Sequence, residues 1–273
     1  MTPRTPKNAP RSASRKGCPA ERPIPADAPV PTPTRLVQES IAGLESLADP
    51  ERALLSQRYF KEKIEFLGIT SIQMRDAEAG IWDRVSGRWR LREALAYAEA
   101  MLARNVYEVR ALGLILLLRF RKEFDSALFD RVRKWLAANR LDNWALVDVF
   151  CPDALGPLLD AHPALVEKIQ TWATDPNRWV KRASVVSFIK LARRGRCLDA
   201  AYRIAERLFP VDDDLIHKAT GWLLREAGKT DAGRLRAFLL RHGPAIPRTA
   251  LRYAIERFPE AERKILLAKT KSG

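Results

Sequence analysis

One short segment combines an indole and a carboxylate at the spacing of one helical turn. Within residues 142–148, Asn143 or Asp142 can cap a helix, and Trp144 and Asp148 then lie four residues apart on one face. An electron-rich ring attracts a positively charged base or sugar, and a carboxylate stabilises the oxocarbenium-like charge that grows as a glycosidic bond breaks. The pair suits a cationic substrate. The alternative is that Trp144 is a core residue and that Asp148 caps a helix or salt-bridges a neighbouring repeat.

A second segment, residues 175–182, opens a helix with basic side chains beside a tryptophan. Trp179 and Arg182 share a face, Arg178 lies one turn before Arg182, and Lys181 adds a further positive charge. An arginine beside aromatic rings can bind a phosphate while its stem packs on a ring. Taken alone, this pattern is also typical of a solvated helix face bordered by core aromatics.

A third segment carries a basic and aromatic stripe around a glycine. Lys218, Trp222 and Arg225 follow at intervals of four and three residues, which places them along one helix face. Gly221 lacks a side chain beside the indole, so that another backbone can come close. Because glycine within a helix costs up to about 1 kcal/mol, a packing or binding reason is expected. Together the three segments predict a basic and aromatic wall.

Helical periodicity extends over the chain from Arg35 onward, without convincing strand alternation. Proline and turn residues mark the breaks between segments, at residues 49–50, 151–152, 162–163, 175–177, 209–210 and 243–244. Short helices joined by short turns predict an all-α fold, a HEAT-like α-α superhelix with a concave basic groove; a plain helical bundle is the alternative. The predicted helices span residues 35–47, 50–64, 71–84, 90–104, 107–121, 125–139, 143–150, 153–159, 163–173, 178–193, 197–208, 212–227, 230–241, 247–256 and 259–268.

Charge and composition divide the chain into a tail and a folded region. Residues 1–34 contain nine prolines and no aromatic residue, which predicts a disordered basic tail followed by one domain over residues 35–273. The formal net charge is +15, and the tail accounts for only four of these charges. Such an excess favours a polyanionic partner, nucleic acid first, although it also fits a basic protein without that function.

Several function classes lack their sequence signatures. The three cysteines show no metal-ligand spacing, and no P-loop, GxGxxG or HExxH motif occurs, so no metal or other cofactor is predicted. The longest apolar run, residues 111–118, is much shorter than the roughly 20 residues that span a bilayer. The N-terminus lacks the apolar core of a secretory signal. We therefore expect a monomer in the cytoplasm, without a membrane partner.

The chain resembles the bacterial DNA alkylation repair glycosylases of the AlkD-like type, which are built from HEAT-like repeats. The resemblance runs from about Tyr59 to Arg257. Its landmarks are Tyr59-Phe60-Lys61, Phe66-Leu67-Gly68-Ile69, Asn143-Trp144 with Asp148, Trp179 with Arg182, and the specific run Lys218-Ala219-Thr220-Gly221-Trp222-Leu223-Leu224-Arg225-Glu226. The chain departs from relatives in its proline-rich tail and in Ala145, where they often carry aspartate.

The resemblance implies excision of cationic 3-alkyl- or 7-alkylpurines from double-stranded DNA, by hydrolysis of the N-glycosidic bond without flipping of the base into a deep pocket. By matching motif, Asp148 is then the catalytic carboxylate, with Trp144 and Trp222 flanking the deoxyribose and lesion. Arg182 is implied as a phosphate contact and Tyr59 as an aromatic at the same cleft. The further DNA contacts that we predict are Trp179, Lys218, Arg225, Arg178 and Lys181. The resemblance therefore implies base excision repair in the bacterial cytosol or nucleoid.

Two other functions fit the same features. A non-catalytic helical scaffold could bind DNA or a protein through the groove, with salt-sensitive binding and no excised base. An RNA-binding repeat protein would instead prefer single-stranded RNA over damaged duplex.

Overall fold

The computed structural model describes residues 29–271. The predicted tail lies outside the described residues as far as residue 28. Over the described range the chain forms α-helices and three short 3-10 helices, and one isolated parallel bridge joins Glu65 and Val106. The α-helices are α1 (Pro33–Glu45), α2 (Pro50–Gln57), α3 (Ser71–Val85), α4 (Leu91–Leu102), α5 (Tyr107–Leu117), α6 (Ser126–Ala137), α7 (Trp144–Ala161), α8 (Pro163–Gln170), α9 (Arg178–Val186), α10 (Ile189–Ala192), α11 (Leu198–Leu208), α12 (Asp214–Gly228), α13 (Ala232–His242), α14 (Arg248–Ala254) and α15 (Glu260–Lys269). The 3-10 helices are Leu118–Glu123, Thr171–Thr174 and Gly243–Ala245.

Side-chain caps fix where the helices of the predicted wall begin. The Asn143 side chain accepts the Leu146 amide at 3.0 Å at the start of α7, so that Asn143 is the cap of the two candidates in the sequence. Asn177 caps α9 and Asp213 caps α12 in the same way. Each cap satisfies backbone N–H groups that have no partner within the helix. The first turns of these three helices are thereby defined.

The helices pack in two layers. In one layer α5, α7, α9, α12 and α14 pack side by side in that order, and in the other α4, α6, α8, α11 and α13 pack against them. Apolar residues of both layers form one buried core. This succession of helix pairs, each covering the apolar face of the next, is the helical-repeat arrangement that the sequence predicts.

The prediction of a break at Cys151-Pro152 is wrong. Residues 144–161 form one helix, α7, which contains Pro152 and Pro157. A proline within a helix costs about 3 kcal/mol because it removes a hydrogen bond and crowds the preceding turn. Phe150, Cys151 and Leu155 are each fully buried, and such burial contributes about 1.5–3 kcal/mol per large apolar side chain. Tertiary packing therefore offsets the local cost.

Helix α2 is shorter than predicted, because the segment after it folds around polar anchors. The Gln57 side chain accepts the Ile64 amide and donates to the Glu62 carbonyl, both at 2.8 Å, so the chain turns instead of continuing as helix. The buried carboxylate of Glu108 then accepts the amides of residues 67, 68 and 69 at 2.9, 2.9 and 3.2 Å. These contacts fix residues 58–70 against α5.

Gly221 allows α12 and α14 to approach closely. A Cβ atom at this position would lie 2.5 Å from the Ala250 carbonyl oxygen and 2.5 Å from the Tyr253 Cβ. Both distances are far below a van der Waals contact, so only glycine fits without a shift of the backbone. The expectation that another backbone lies beside Gly221 is confirmed.

Candidate active site

A cavity of about 320 Å³ lies along the layer formed by α7, α9, α12 and α14. Helix α7 contributes an indole and a carboxylate, α9 a guanidinium, and α12 an indole and two cations. The 58–70 segment and α14 each add a tyrosine. The lining residues are Tyr59, Trp144, Asp148, Arg182, Leu215, Lys218, Trp222, Arg225 and Tyr253. The structure thus brings seven of the predicted site residues to one cavity.

Asp148 forms a bidentate ion pair with Arg182. The guanidinium Nε donates to Oδ1 at 2.8 Å and Nη2 donates to Oδ2 at 2.6 Å, while Nη1 donates to the Leu215 carbonyl at 2.5 Å. The side chains of Asp148 and Arg182 are 16% and 6% exposed. Asp148 therefore does salt-bridge a neighbouring helix, as the alternative interpretation held, and it does so at the wall of an open cavity.

The ion pair leaves acceptor capacity on Asp148. A carboxylate offers about two lone-pair sites on each oxygen, and Arg182 occupies one site on each. The remaining sites can receive a water molecule or face a positive charge. Burial raises the pKa of Asp148, and the neighbouring guanidinium of Arg182 opposes that rise by favouring the charged form.

Trp144 belongs to an aromatic cluster with Phe60, Phe66 and Tyr107. Phe60 stacks on its ring with centroids 5.0 Å apart and an interplanar angle of 15°. Phe66 and Tyr107 lie 5.1 Å apart and pack behind Phe60. Offset aromatic pairs of this kind stabilise a fixed ring orientation by roughly 0.5–1.5 kcal/mol. Phe60 thus covers part of Trp144 and holds the indole at the cavity.

The second indole that lines the cavity, Trp222, lies on α12. It is partly buried and packs against the core. Tyr253 on α14 lines the cavity with it and is 37% exposed, whereas Tyr59 is 79% exposed. Aromatic side chains therefore reach the cavity from α7, from the 58–70 segment, from α12 and from α14.

Most of the predicted basic contacts are paired with carboxylates. Lys218 Nζ lies 2.8 Å from Asp214 Oδ2, and this hydrogen bond raises the pKa of Lys218. Arg225 pairs with Glu256 through Nη1, and its Nε lies 3.6 Å from a Glu226 oxygen. Because each pair must be broken or shared before a phosphate can bind, these cations are less available than their number suggests.

Three predicted DNA contacts on α9 lie outside the cavity lining. Trp179 is only 7% exposed and belongs to the core, so its ring cannot serve as a surface contact. Arg178 lies over that ring, 5.8 Å from the centroid, and pairs with Glu62 and Asp213. Lys181 is half-buried. Spacing within one helix had placed Trp179 with Arg182, but the two side chains face different surroundings.

Sequence reasoning missed Tyr253 and Leu215. Leu215 is apolar and contributes a carbonyl, which no side-chain pattern can reveal. Tyr253 carried a signal, because Arg252-Tyr253 repeats the basic and aromatic pairing seen on the earlier helices. Gly221 was a second signal, since the backbone that it admits is the one that bears Tyr253.

Residues 29–271 contain neither a metal-binding cluster nor a membrane-spanning helix. No group of three or more His, Cys, Asp or Glu side chains in this range is arranged to hold a metal ion. None of the described helices has both the length and the apolar character needed to cross a membrane.

Comparison with known proteins gives a family and a fold. The family described as "DNA alkylation repair enzyme" matches residues 40–258, which include every residue that lines the cavity. The solved structure of a predicted DNA alkylation repair enzyme from Enterococcus faecalis superposes with a TM-score of 0.68 at 18% identity, over 78% of this chain and 97% of that chain. No curated protein matches the chain by sequence. The all-α superhelical fold is confirmed; the concave basic groove stays a prediction.

Proposed function

This chain belongs to the DNA alkylation repair enzyme family, and we propose that it is a DNA glycosylase that excises cationic alkylated purines, 3-alkyladenine and 7-alkylguanine, from duplex DNA. Membership of the family supports a role in DNA repair and an enzymatic activity. The observation that carries the finer proposal is the cavity in which Asp148, with free acceptor sites, faces the same opening as Trp144 and Trp222.

The proposed chemistry needs one carboxylate. A cationic alkylpurine leaves readily, so that no general acid is required, and Asp148 stabilises the positive charge that develops on the deoxyribose and orients the attacking water. The electron-rich faces of Trp144 and Trp222 attract the cationic base and sugar. The protein supplies these groups without a cofactor.

Arg182 takes a positioning role in this proposal, in place of the predicted phosphate contact. Three of its N–H groups are already bound to Asp148 and to the Leu215 carbonyl, and its side chain is 6% exposed. The bidentate geometry fixes the plane of the carboxylate, and with it the directions of the lone pairs that Arg182 leaves free.

We propose that the duplex around the lesion is contacted by Lys218, Arg225, Arg178, Lys181 and Tyr59. The protein is proposed to act as a monomer in the cytosol or nucleoid. Phosphate contacts by such residues position the duplex without reading its sequence. The cations that carry internal partners must exchange them for phosphates on binding.

Release of free base tests the proposal. Purified protein with duplex DNA containing 7-methylguanine or 3-methyladenine should release the base faster than DNA alone, and Asp148→Asn should slow this release about 10³-fold. Asp153→Asn is the matched control, because Asp153 lies on the same helix, pairs with Lys190 at 2.5 Å and lines a different cavity. Wild-type protein that binds the damaged duplex without releasing base would contradict the proposal.

A non-catalytic DNA-binding scaffold is the second candidate. The observation that favours it is the bidentate pairing of Asp148 with Arg182, since an ion pair between neighbouring repeats can serve packing alone. It predicts salt-sensitive duplex binding and no free base, so that the same experiment separates the two functions.

A further inference from the structure

Arg178 joins two acidic residues that are remote in sequence. Its Nη1 lies 2.6 Å from Glu62 Oε1, and its Nε lies 2.5 Å from Asp213 Oδ2. Glu62 belongs to the segment after α2, whereas Asp213 caps α12. The side chain of Arg178 is 44% exposed, that of Glu62 32% and that of Asp213 14%. The pairing is therefore accessible to solvent on the Glu62 side and more enclosed on the Asp213 side.

This cluster borders the candidate active site. Each of its members lies within four residues of a cavity-lining residue: Glu62 follows Tyr59, Arg178 precedes Arg182, and Asp213 precedes Leu215. Asp214, the neighbour of Asp213, has its pKa lowered mainly by the hydrogen bond from Lys218 and to a smaller extent by Lys61. The segment of residues 59–62 and the start of α12 thus meet at the edge of the cavity.

We propose that the Arg178 guanidinium is a subsite for a DNA backbone phosphate, and that Glu62 occupies this subsite in the free protein and competes with DNA for it. The inference rests on the proposed function only in that DNA is the ligand. It requires no excision chemistry.

The two carboxylates have different parts in this exchange. Asp213 accepts a hydrogen bond from Nε and so orients the guanidinium. Nη1 donates to Glu62 and belongs to the edge of the guanidinium that would bind a phosphate. A carboxylate and a phosphate both accept hydrogen bonds from a guanidinium, so Glu62 mimics the charge and geometry of the ligand. Exposed ion pairs are worth little, which makes displacement of Glu62 by phosphate feasible.

The exchange needs only a side-chain rotation. The backbone around Glu62 is held independently, because Gln57 bonds the Glu62 carbonyl and the Ile64 amide and because Phe60 stacks on Trp144. Loss of the Glu62 carboxylate should therefore leave the segment in place. A substitution at Glu62 then reports on competition and not on local unfolding.

The test measures binding of an undamaged duplex by fluorescence anisotropy over a range of salt concentrations. Glu62→Gln should tighten DNA binding about two- to fivefold more than Glu65→Gln does. The reason is that the variant no longer has to break the Arg178–Glu62 ion pair, and an exposed ion pair changes an equilibrium constant by up to about fivefold. Glu65 is the matched control: it lies in the same segment, is exposed, and its carboxylate makes no hydrogen bond or ion pair among the described residues.

Arg178→Gln should weaken binding and reduce the slope of log affinity against log salt by about 0.9, the contribution of one phosphate contact. Arg241→Gln, which removes an arginine at a different cavity, should change the slope less. In the Arg178→Gln background, Glu62→Gln should have the same effect as Glu65→Gln, because the subsite for which Glu62 competes is gone.

Equal effects of Glu62→Gln and Glu65→Gln in the wild-type background would overturn the competition, and an unchanged salt slope for Arg178→Gln would overturn the phosphate subsite. Both measurements use undamaged DNA. A protein that binds as expected but releases no base from damaged duplex would refute the glycosylase proposal and leave this inference standing.

Discussion

The pairing of Asp148 with Arg182 makes a prediction about two variants compared with each other. Asp148→Asn removes the negative charge but leaves the Arg182 guanidinium at the cavity, with part of its pairing lost. The double variant Asp148→Asn/Arg182→Gln removes both charges. If Asp148 acts by stabilising positive charge on the sugar, the double variant should release base faster than the single variant does.

The magnitude is estimated for a sugar placed about 4 Å from the Asp148 carboxylate and therefore roughly 8 Å from the Arg182 guanidinium behind it. A carboxylate about 4 Å from the developing charge contributes on the order of 4 kcal/mol at an effective dielectric constant near 20, and a guanidinium about 8 Å away opposes it by roughly 2 kcal/mol. Asp148→Asn therefore loses about 4 kcal/mol, or ~10³ in rate, because the repulsion by Arg182 remains. The double variant loses both effects, a net stabilisation of ~2 kcal/mol, and should release base about 30-fold more slowly than wild type. It should therefore be about 30-fold faster than Asp148→Asn.

The assay is single-turnover release of 7-methylguanine from duplex DNA with protein in excess, corrected for release without protein. Thermal melts serve as the folding control, since breaking a buried pair costs about 3 kcal/mol, which lowers the melting temperature of a domain of this size by about 6–12 °C. A double variant that is folded but no faster than Asp148→Asn would refute the electrostatic role of Asp148, even if both variants are slower than wild type.

Three further predictions concern the indole wall, pH and the helix contact. Trp222→Leu should slow base release about 2–30-fold, as expected for loss of a cation–π contact of roughly 0.5–2 kcal/mol, with circular dichroism as the folding control. Because burial raises the pKa of Asp148 and release requires its charged form, activity should fall with decreasing pH at a higher pH than for an exposed aspartate, and a pH–rate profile should lack this limb in Asp148→Asn. Gly221→Ala should destabilise the fold by about 1–3 kcal/mol because its Cβ would meet the Ala250 carbonyl oxygen at 2.5 Å. Gly80→Ala on α3 meets no atom within 4 Å and should raise the melting temperature instead.

Much of the fold could be predicted from the signals that begin and end helices. The prediction of helix boundaries failed where tertiary packing outweighed a local signal. Asn143 and the turn at His162-Pro163 mark the ends of α7, and the structure confirms both. Pro152 signalled a break that does not occur, because the sequence gives the cost of an internal proline but not the burial of its neighbours. The polar anchors of residues 58–70 were likewise hidden, since Glu108 is remote in sequence from the amides that it accepts.

For the candidate site, spacing within one helix predicted which residues share a face, but not what that face meets. Trp144 and Asp148 do line one cavity, and the stripe on α12 joins them there. The partner of Arg182 could not be predicted, because contacts between helices depend on their relative rotation and offset, which periodicity leaves undetermined. For the same reason Trp179 was assigned to the surface although it packs in the core.

Net charge and local pairing make different contributions to DNA binding. The formal charge of +15 acts over a distance of about 10 Å at moderate salt and speeds encounter with any duplex. Lys218 and Arg225 at the cavity, and Arg178 beside it, are however each bound to carboxylates of the protein, so that a phosphate gains from each of them only the difference between two similar ion pairs. These paired cations should therefore add less affinity for undamaged DNA than unpaired cations would, while in the proposed function a cationic lesion between Trp144 and Asp148 would add an attraction that undamaged DNA lacks. In the proposed function, selectivity would then arise from the lesion's own charge, and the paired cations would contribute by limiting the affinity for undamaged DNA.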